Sequence, residues 1–224
     1  CTHQCHLCNY EGRESGLHYT DHEWERWTPE NTKIGSRSIV NEPLVMPDKF
    51  ILPELHIKLG MPKQIISKMQ KSESEDEASA YWHLRNKFGN ILTKRKIDAG
   101  TFTGPQILKL KNDAVFMKKL ERIPAEYEAW KSFFVVCDNF LGNYRDPLYK
   151  DYVIIMTNAF ATLNCNMSYK VHLLYYHIDD FPENLGAVSD QDGEHYHQLM
   201  RTIEENHKNK DERFMGQQVH NSLY

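Results

Sequence analysis

Residues 125–141 read AEYEAWKSFFVVCDNFL, and this stretch decides the fold class. Large apolar side chains recur there at spacings of three and four: Tyr127, Trp130, Phe133, Phe134, Cys137, Phe140 and Leu141. That period is typical of an amphipathic helix whose aromatic face packs into a core.

The same period continues on both sides of this stretch. It predicts helices over residues 54–70, 78–98, 105–121, 148–163 and 168–177, and a polar helix from about residue 190 to residue 206. Gly100 and the pair Gly104-Pro105 supply a stop, a turn and a first-turn proline between two of these segments. Strands are few, so the sequence predicts a mainly α fold.

Composition narrows the class of protein. The chain has 224 residues, of which 40% are hydrophobic and 26% charged, and this is the composition of a folded protein rather than a disordered tail. No run of apolar residues approaches the length of a membrane span, so we expect no membrane partner. The net charge of −4 differs from that of a small, wholly basic nucleic-acid binder.

One local region is nevertheless basic. Residues 82–122 contain ten lysines and arginines against three acidic residues, a local charge of +7 (10 − 3). Such a patch can bind phosphates without reading sequence, and a solvated helix face has the same composition. We take Lys94, Arg95, Lys96, Lys109 and Lys111 as candidate DNA-binding residues.

The five cysteines indicate a metal site rather than a disulfide framework. Their number is odd, and three of them are clustered at Cys1, Cys5 and Cys8. The pair Cys5-His-Leu-Cys8 has a spacing that lets two thiolates converge on one tetrahedral zinc ion, although two ordinary thiols are the alternative.

Two histidine pairs are candidates for the remaining ligands. His18 and His22 would complete a local finger of pattern C-x2-C-x9-H-x3-H, and the spacing alone favours them. The distant pair is His172 and His177, whose separation of five residues brings both side chains to one side only if the helix is distorted or ends at the second histidine.

Several strings, taken in order, resemble a known family. They are Leu55-His-Ile-Lys-Leu-Gly60, Gly104-Pro-Gln-Ile107, Asn139-Phe-Leu-Gly-Asn143, Asn166-Met-Ser-Tyr-Lys-Val-His172 and Phe181-Pro-Glu-Asn-Leu-Gly-Ala-Val-Ser-Asp-Gln-Asp-Gly-Glu-His-Tyr-His-Gln198. Together they resemble the carboxyl half of transposon-encoded DDE transposases related to Transib transposases and to the catalytic subunit of the V(D)J recombinase.

The resemblance implies a site and a fold. Cys5, Cys8, His172 and His177 match the family's zinc ligands, with His18 and His22 kept as the alternative pair. Glu194 matches the catalytic glutamate, which in that family holds catalytic Mg²⁺ or Mn²⁺ with two aspartates on a ribonuclease-H-like core. Those aspartates precede the cysteine pair in the family and have no equivalent in this sequence, so we expect a piece of a larger protein or a relative without independent nuclease activity.

The resemblance also implies an organisation and a function. Residues 1–53 form a loop-rich segment that bears the cysteines, residues 54–180 a helical zinc-binding insertion, and residues 181–224 the helix of the catalytic glutamate and a tail. The expected function is metal-dependent cleavage and transfer of DNA strands in the nucleus, with DNA as partner and homodimer formation left open. The alternatives are a catalytically inactive, domesticated relative that binds DNA or protein, and an unrelated zinc finger module.

Overall fold

A computed structural model describes residues 5–10, 12, 19, 23–28, 30–31, 34–35, 41, 45, 49–52, 54–72 and 77–188. The chain divides into two units, Cys1–Val188 and Ser189–Tyr224, and the second lies outside the described residues. The three predicted segments, residues 1–53, 54–180 and 181–224, stay predictions.

The predicted mainly α fold is confirmed. The described residues form eight α-helices: α1 (Glu54–Ser72), α2 (Ala80–Phe88), α3 (Lys94–Asp98), α4 (Gly104–Lys111), α5 (Ala114–Leu120), α6 (Pro124–Asn139), α7 (Tyr149–Thr162) and α8 (Tyr169–Tyr176). Short 3-10 helices follow at Ile178–Asp180 and Gly186–Val188. Extended pairing in the described residues is limited to one antiparallel bridge, between Cys8 and Arg26. A ribonuclease-H-like core stays a prediction.

Helix α1 is the central support of the fold and packs against α6, α2, α4 and α8. Its inner face is fully buried at Ile57, Met61 and Ile65, as the three-and-four spacing predicts. The helix runs without a break through Gly60 and Pro62. Gly60 is where the Lys170 side chain of α8 crosses α1, and a Cβ there would overlap that side chain. The small residue therefore lets the two helices approach closely.

Two of the predicted helices are each a pair of shorter helices. The segment predicted over residues 78–98 stops after Phe88, and α3 restarts with Thr93 as its N-cap, whose side chain accepts from the Lys96 N–H. The segment over 105–121 is interrupted at Asp113, whose carboxylate accepts from the N–H groups of Val115 and Phe116. In both places a capping side chain competes with continuation of the helix.

The stop signal at Gly100 acts as predicted. Gly100 has φ of +61° and closes a Schellman motif in which its N–H donates to Ile97 and the Thr101 N–H donates to Lys96. A Cβ at this position would also meet the backbone oxygen of Lys63 at 2.8 Å, so glycine is required on two grounds. Pro105 is the second residue of α4 rather than the first.

The aromatic stretch that opened the sequence analysis lies in α6 and packs mainly against α7. Trp130, Phe133 and Phe140 are buried, and Trp130 meets Phe116 of α5 edge-on with ring centroids 5.2 Å apart. These aromatics therefore contribute to packing, which is the ordinary role of such a stripe. No helix in the described part of the chain is long and apolar enough to cross a bilayer.

Candidate metal centre

The cysteine pair is held in a tight turn by its own backbone. The Leu7 N–H donates to the Cys5 sulfur at 3.4 Å, and the Cys5 N–H donates to the Tyr10 carbonyl at 3.3 Å. The strand-like bridge to Arg26 fixes the outer side of the turn, because the Asn9 N–H donates to Glu25 and the Trp27 N–H to Leu7. Both sulfurs are therefore buried on a turn that is held by backbone hydrogen bonds.

The two histidines come from the other end of the described chain. Asn164, with φ of +54°, ends α7 and turns the chain towards α8, whose N-cap is Ser168. His172 lies inside α8, whereas His177 is its C-cap with φ of −121° and ψ of +28°. The helix ends at the second histidine, which is one of the two conditions under which a separation of five residues can bring both rings to one side.

The structure brings these four side chains together. The Cys8 sulfur lies 3.2 Å from His172 Nε2 and 3.3 Å from His177 Nε2, and the Cys5 sulfur lies 3.5 Å from His177 Nε2. All four potential ligand atoms lie within 4.8 Å of one another. A tetrahedral ion with metal–sulfur and metal–nitrogen bonds of about 2.3 and 2.1 Å separates sulfur from nitrogen by about 3.6 Å. These distances therefore suit a four-coordinate metal ion.

The site is closed to solvent. Cys5, Cys8, His172 and His177 are exposed by 2%, 0%, 0% and 3% respectively. Tyr10 stacks on the His172 ring with centroids 3.8 Å apart, and its hydroxyl donates to the Met167 carbonyl at 2.6 Å. Four buried ligands under an aromatic cover leave no open position for a substrate, which is the pattern of a structural rather than a catalytic metal site.

Contact between the two thiols shifts their pKa values in opposite directions. A hydrogen bond from the Cys8 side chain lowers the pKa of Cys5, and the same contact, together with burial, raises the pKa of Cys8. A divalent cation would displace any proton that the Cys5 and Cys8 sulfurs still carry, because metal ligation requires both sulfurs as thiolates.

Asp180 and Arg26 orient the His177 ring. The Asp180 carboxylate lies 3.1 Å from His177 Nδ1, and Arg26 forms an ion pair with the same carboxylate oxygen. An Nδ1–H that donates to Asp180 leaves the Nε2 lone pair free for a metal. The Arg26 guanidinium also lies 3.2 Å from Nδ1, but the ring cannot donate to the carboxylate and accept from Arg26 at the same atom.

The other predicted site residues fall into two groups. Lys94, Arg95 and Lys96 form the exposed start of α3, and Lys109 is exposed on α4. Lys94 lies 3.9 Å from the Asp98 carboxylate, and Lys111 forms a closer ion pair of 2.6 Å with Asp138 of α6, so the charge of Lys111 is partly neutralised within the fold. The predicted catalytic residue Glu194 and the alternative ligands His18 and His22 lie outside the described residues.

Three functional neighbours of the site were missed by sequence reasoning. Asp180 follows His177 by three residues, and that spacing is a signal that could have been found, because carboxylates commonly accept from ligating histidines. Arg26 and Tyr10 reach the site only through the backbone bridge and the long-range packing on α8, for which no local signal exists.

Comparison with known proteins adds one similarity. Residues 54–142 match a family model described as a domain of unknown function (DUF8704). The matched region runs from α1 through α6 and contains none of the four clustered Cys and His residues. No curated protein and no solved structure matches the chain.

Proposed function

We propose that Cys5, Cys8, His172 and His177 bind one structural zinc ion. Two thiolates and two imidazoles form a ligand set that zinc prefers, and their mutual distances suit a tetrahedron. The closed, buried character of the cluster favours a structural over a catalytic role.

The zinc ion would fasten the amino-terminal segment to α8. The cysteines and histidines are 164 to 172 residues apart in the chain, and the segment that carries the cysteines has one bridge as its extended pairing among the described residues. A metal that closes so long a loop constrains the unfolded chain strongly, so metal binding and folding are coupled.

Metal content of single variants tests this assignment. We expect one zinc per chain in the parent protein, loss of zinc in His172→Ala, and full zinc content in His18→Ala, the matched variant of the local finger. Mass spectrometry of the native protein gives the stoichiometry. Zinc loss in His18→Ala alone would overturn the distant ligand set in favour of the zinc finger module.

We further propose that the chain is part of a DDE transposase-like protein that cleaves and transfers DNA strands. The observation that carries this proposal is the convergence of Cys5 and Cys8 with His172 and His177 among the described residues. The spacing favoured His18 and His22, whereas the resemblance to the transposases implied the distant pair. The helices between the two halves of the site suit a zinc-binding helical insertion.

In this proposal Glu194 is a ligand of the catalytic Mg²⁺ or Mn²⁺, and exposed basic residues of α3 and α4 bind DNA phosphates. Lys94, Arg95, Lys96 and Lys109 support the second role by their exposure. The protein would act in the nucleus, where its DNA substrate is found.

Strand cleavage by matched glutamate variants tests the catalytic proposal. The assay uses a form of the protein that includes sequence before the cysteine pair, where the two catalytic aspartates of the family lie. Glu194→Gln should reduce Mg²⁺-dependent cleavage by orders of magnitude and leave zinc content unchanged, because the metal pair loses one ligand. Glu183→Gln, at an exposed residue, is the control.

Two outcomes decide between the proposals. Equal cleavage by both variants would refute the role of Glu194. A parent protein that binds DNA tightly but never cleaves it would favour the inactive, domesticated relative.

A further inference from the structure

A pocket of about 320 Å³ lies between α2 and α3. Three residues of α2, namely Trp82, Arg85 and Asn86, and its C-cap Gly89 line it at the spacing of one helical face. Leu92, Lys94 at the start of α3, and Ile97 also line it. Gly89 adds no side chain to this wall.

The indole of Trp82 is held in place from one side. The Lys119 amine lies 5.4 Å from the centre of the Trp82 ring and also donates to the Glu77 carbonyl. This amine is therefore tethered to the backbone while it contacts the ring. A ring fixed in this way gives a preorganised stacking surface, because little side-chain freedom remains to be lost on binding.

The pocket combines three kinds of recognition group. Trp82 offers a flat aromatic surface, Asn86 an amide that can donate and accept, and Arg85 and Lys94 two cations at the rim. An aromatic surface beside cations is the arrangement by which proteins hold unpaired nucleotides, with the base stacked and the phosphate neutralised. The volume is at the lower end of the range for ligand pockets and suits one small ring system.

We propose that this pocket binds a single unpaired nucleotide of a nucleic-acid strand. The base stacks on Trp82, the Asn86 amide contacts the base edge, and Arg85 and Lys94 bind the flanking phosphates. The inference rests on the proposed DNA-binding function and adds to it a preference for unpaired over paired bases. A base within a duplex is stacked and paired, so it must leave the helix before it can enter such a pocket.

Binding of labelled oligonucleotides to the zinc-loaded full chain tests this site. Trp82→Leu should weaken binding of a short single strand by about 5- to 150-fold, the range that loss of one stacked base produces. Trp82→Phe should retain most of the affinity, because a ring remains. Tyr144→Leu removes an aromatic side chain that is 57% exposed outside the pocket and is the matched control.

Salt dependence separates stacking from charge. Trp82→Leu should leave the slope of log K against log salt unchanged, whereas Lys94→Gln should make it shallower by about 0.7 for a single strand. A duplex of the same sequence should bind the parent and Trp82→Leu equally. If Trp82→Leu fails to fold, an abasic oligonucleotide bound to the parent protein gives the same information, with an affinity loss expected.

The outcomes that overturn the inference are distinct from those that overturn DNA binding itself. The pocket would be refuted as the binding site, with DNA binding left intact, if Trp82→Leu and Tyr144→Leu bound the single strand equally. The same conclusion would follow if the parent bound abasic and intact strands equally. A free mononucleotide that binds as tightly as the strand would refute the strand as the ligand. Absence of binding to any oligonucleotide would refute both proposals.

Discussion

Replacement of Asp180 by alanine should weaken zinc binding at a distance from the metal. Asp180 is not one of the four proposed ligands, but its carboxylate lies 3.1 Å from His177 Nδ1. It thereby selects the ring tautomer whose Nε2 carries a lone pair, and Nε2 is the atom that lies 3.3 Å from the Cys8 sulfur.

The structure also indicates what replaces Asp180 when it is removed. The Arg26 guanidinium lies 3.2 Å from the same Nδ1 atom and can only donate a hydrogen bond. In Asp180→Ala it would favour the opposite tautomer, with the proton on Nε2 and the lone pair at Nδ1. The proton would then have to be displaced from the metal-binding atom.

We therefore expect a large effect for a residue outside the ligand set. Loss of a carboxylate behind a ligating histidine lowers metal affinity by about 10- to 100-fold. The zinc affinity of Asp180→Asn should fall by about tenfold, or about 1.4 kcal/mol, because the amide oxygen still accepts from Nδ1–H. The loss of zinc affinity in Asp180→Ala should approach a hundredfold. The double variant Arg26→Met/Asp180→Ala should regain part of that affinity.

Competition between the protein and a zinc-binding dye at fixed pH measures these affinities. The matched control is Asp179→Ala, since Asp179 is the preceding acid, is 70% exposed at its side chain and pairs with Lys150 rather than with His177. Equal zinc affinities of Asp179→Ala and Asp180→Ala would refute the reasoning. A double variant no better than Asp180→Ala would refute the role assigned to Arg26.

Three further substitutions test other parts of the molecule. Gly100→Ala should lower the free energy of unfolding in urea by about 1–2 kcal/mol or more, because its positive φ is strained for alanine and the new Cβ meets Lys63. An unchanged urea midpoint would contradict the close contact between Gly100 and the Lys63 backbone. Asp113→Asn should lower stability at pH 7 and reduce the loss of stability below about pH 4, as worked out in the next paragraph; a pH profile identical to the parent's would argue against it. Charge reversal at residues 94–96 should weaken duplex binding and make its salt slope shallower by about 2.7, whereas an unchanged slope would assign these side chains to solubility.

The sign of the Asp113 prediction follows from its contacts. Burial alone would raise the pKa of Asp113, but hydrogen bonds from Lys87 and His83 hold it well below its usual range. The unfolded chain has a value near 3.9. The charged carboxylate therefore stabilises the fold above about pH 4, and this contribution is lost as the pH falls through the lower folded value. Asparagine can retain the capping oxygen, but it removes the charge and the second acceptor oxygen, which Lys87 and His83 contact.

Within the described residues, helix positions could be predicted closely from periodicity, but helix continuity could not. The polar helix predicted from about residue 190 to residue 206 lies outside the described residues. The spacing of apolar residues over 78–98 persists across the break after Phe88, because α2 and α3 bury the same side of the chain at Leu84 and Ile97. The break depends on whether Thr93 caps a new helix, and that choice is decided by packing against the neighbouring helices.

The candidate site shows the limit of local reasoning more sharply. Spacing identified the cysteine pair, since two thiolates on one turn need only a short sequence. Spacing favoured His18 and His22, which lie outside the described residues, and it could not indicate His172, because a histidine 164 residues away has no local signal. The resemblance to the transposases supplied that pairing. Arg26 and Tyr10 were found only from the structure, since their positions depend on the bridge and on α8.

The wide separation of the two halves of the metal site sets an order of events during protein synthesis. Cys8 leaves the ribosome 164 residues before His172. At 5–20 residues per second, the thiols wait about 8 to 33 seconds for their imidazole partners. Throughout that interval they are accessible to oxidants and to competing metals. If zinc binds as proposed, Cys5 and Cys8 must therefore stay reduced until the end of α8 has been made, and this is a longer wait than the cysteines of a local zinc finger have.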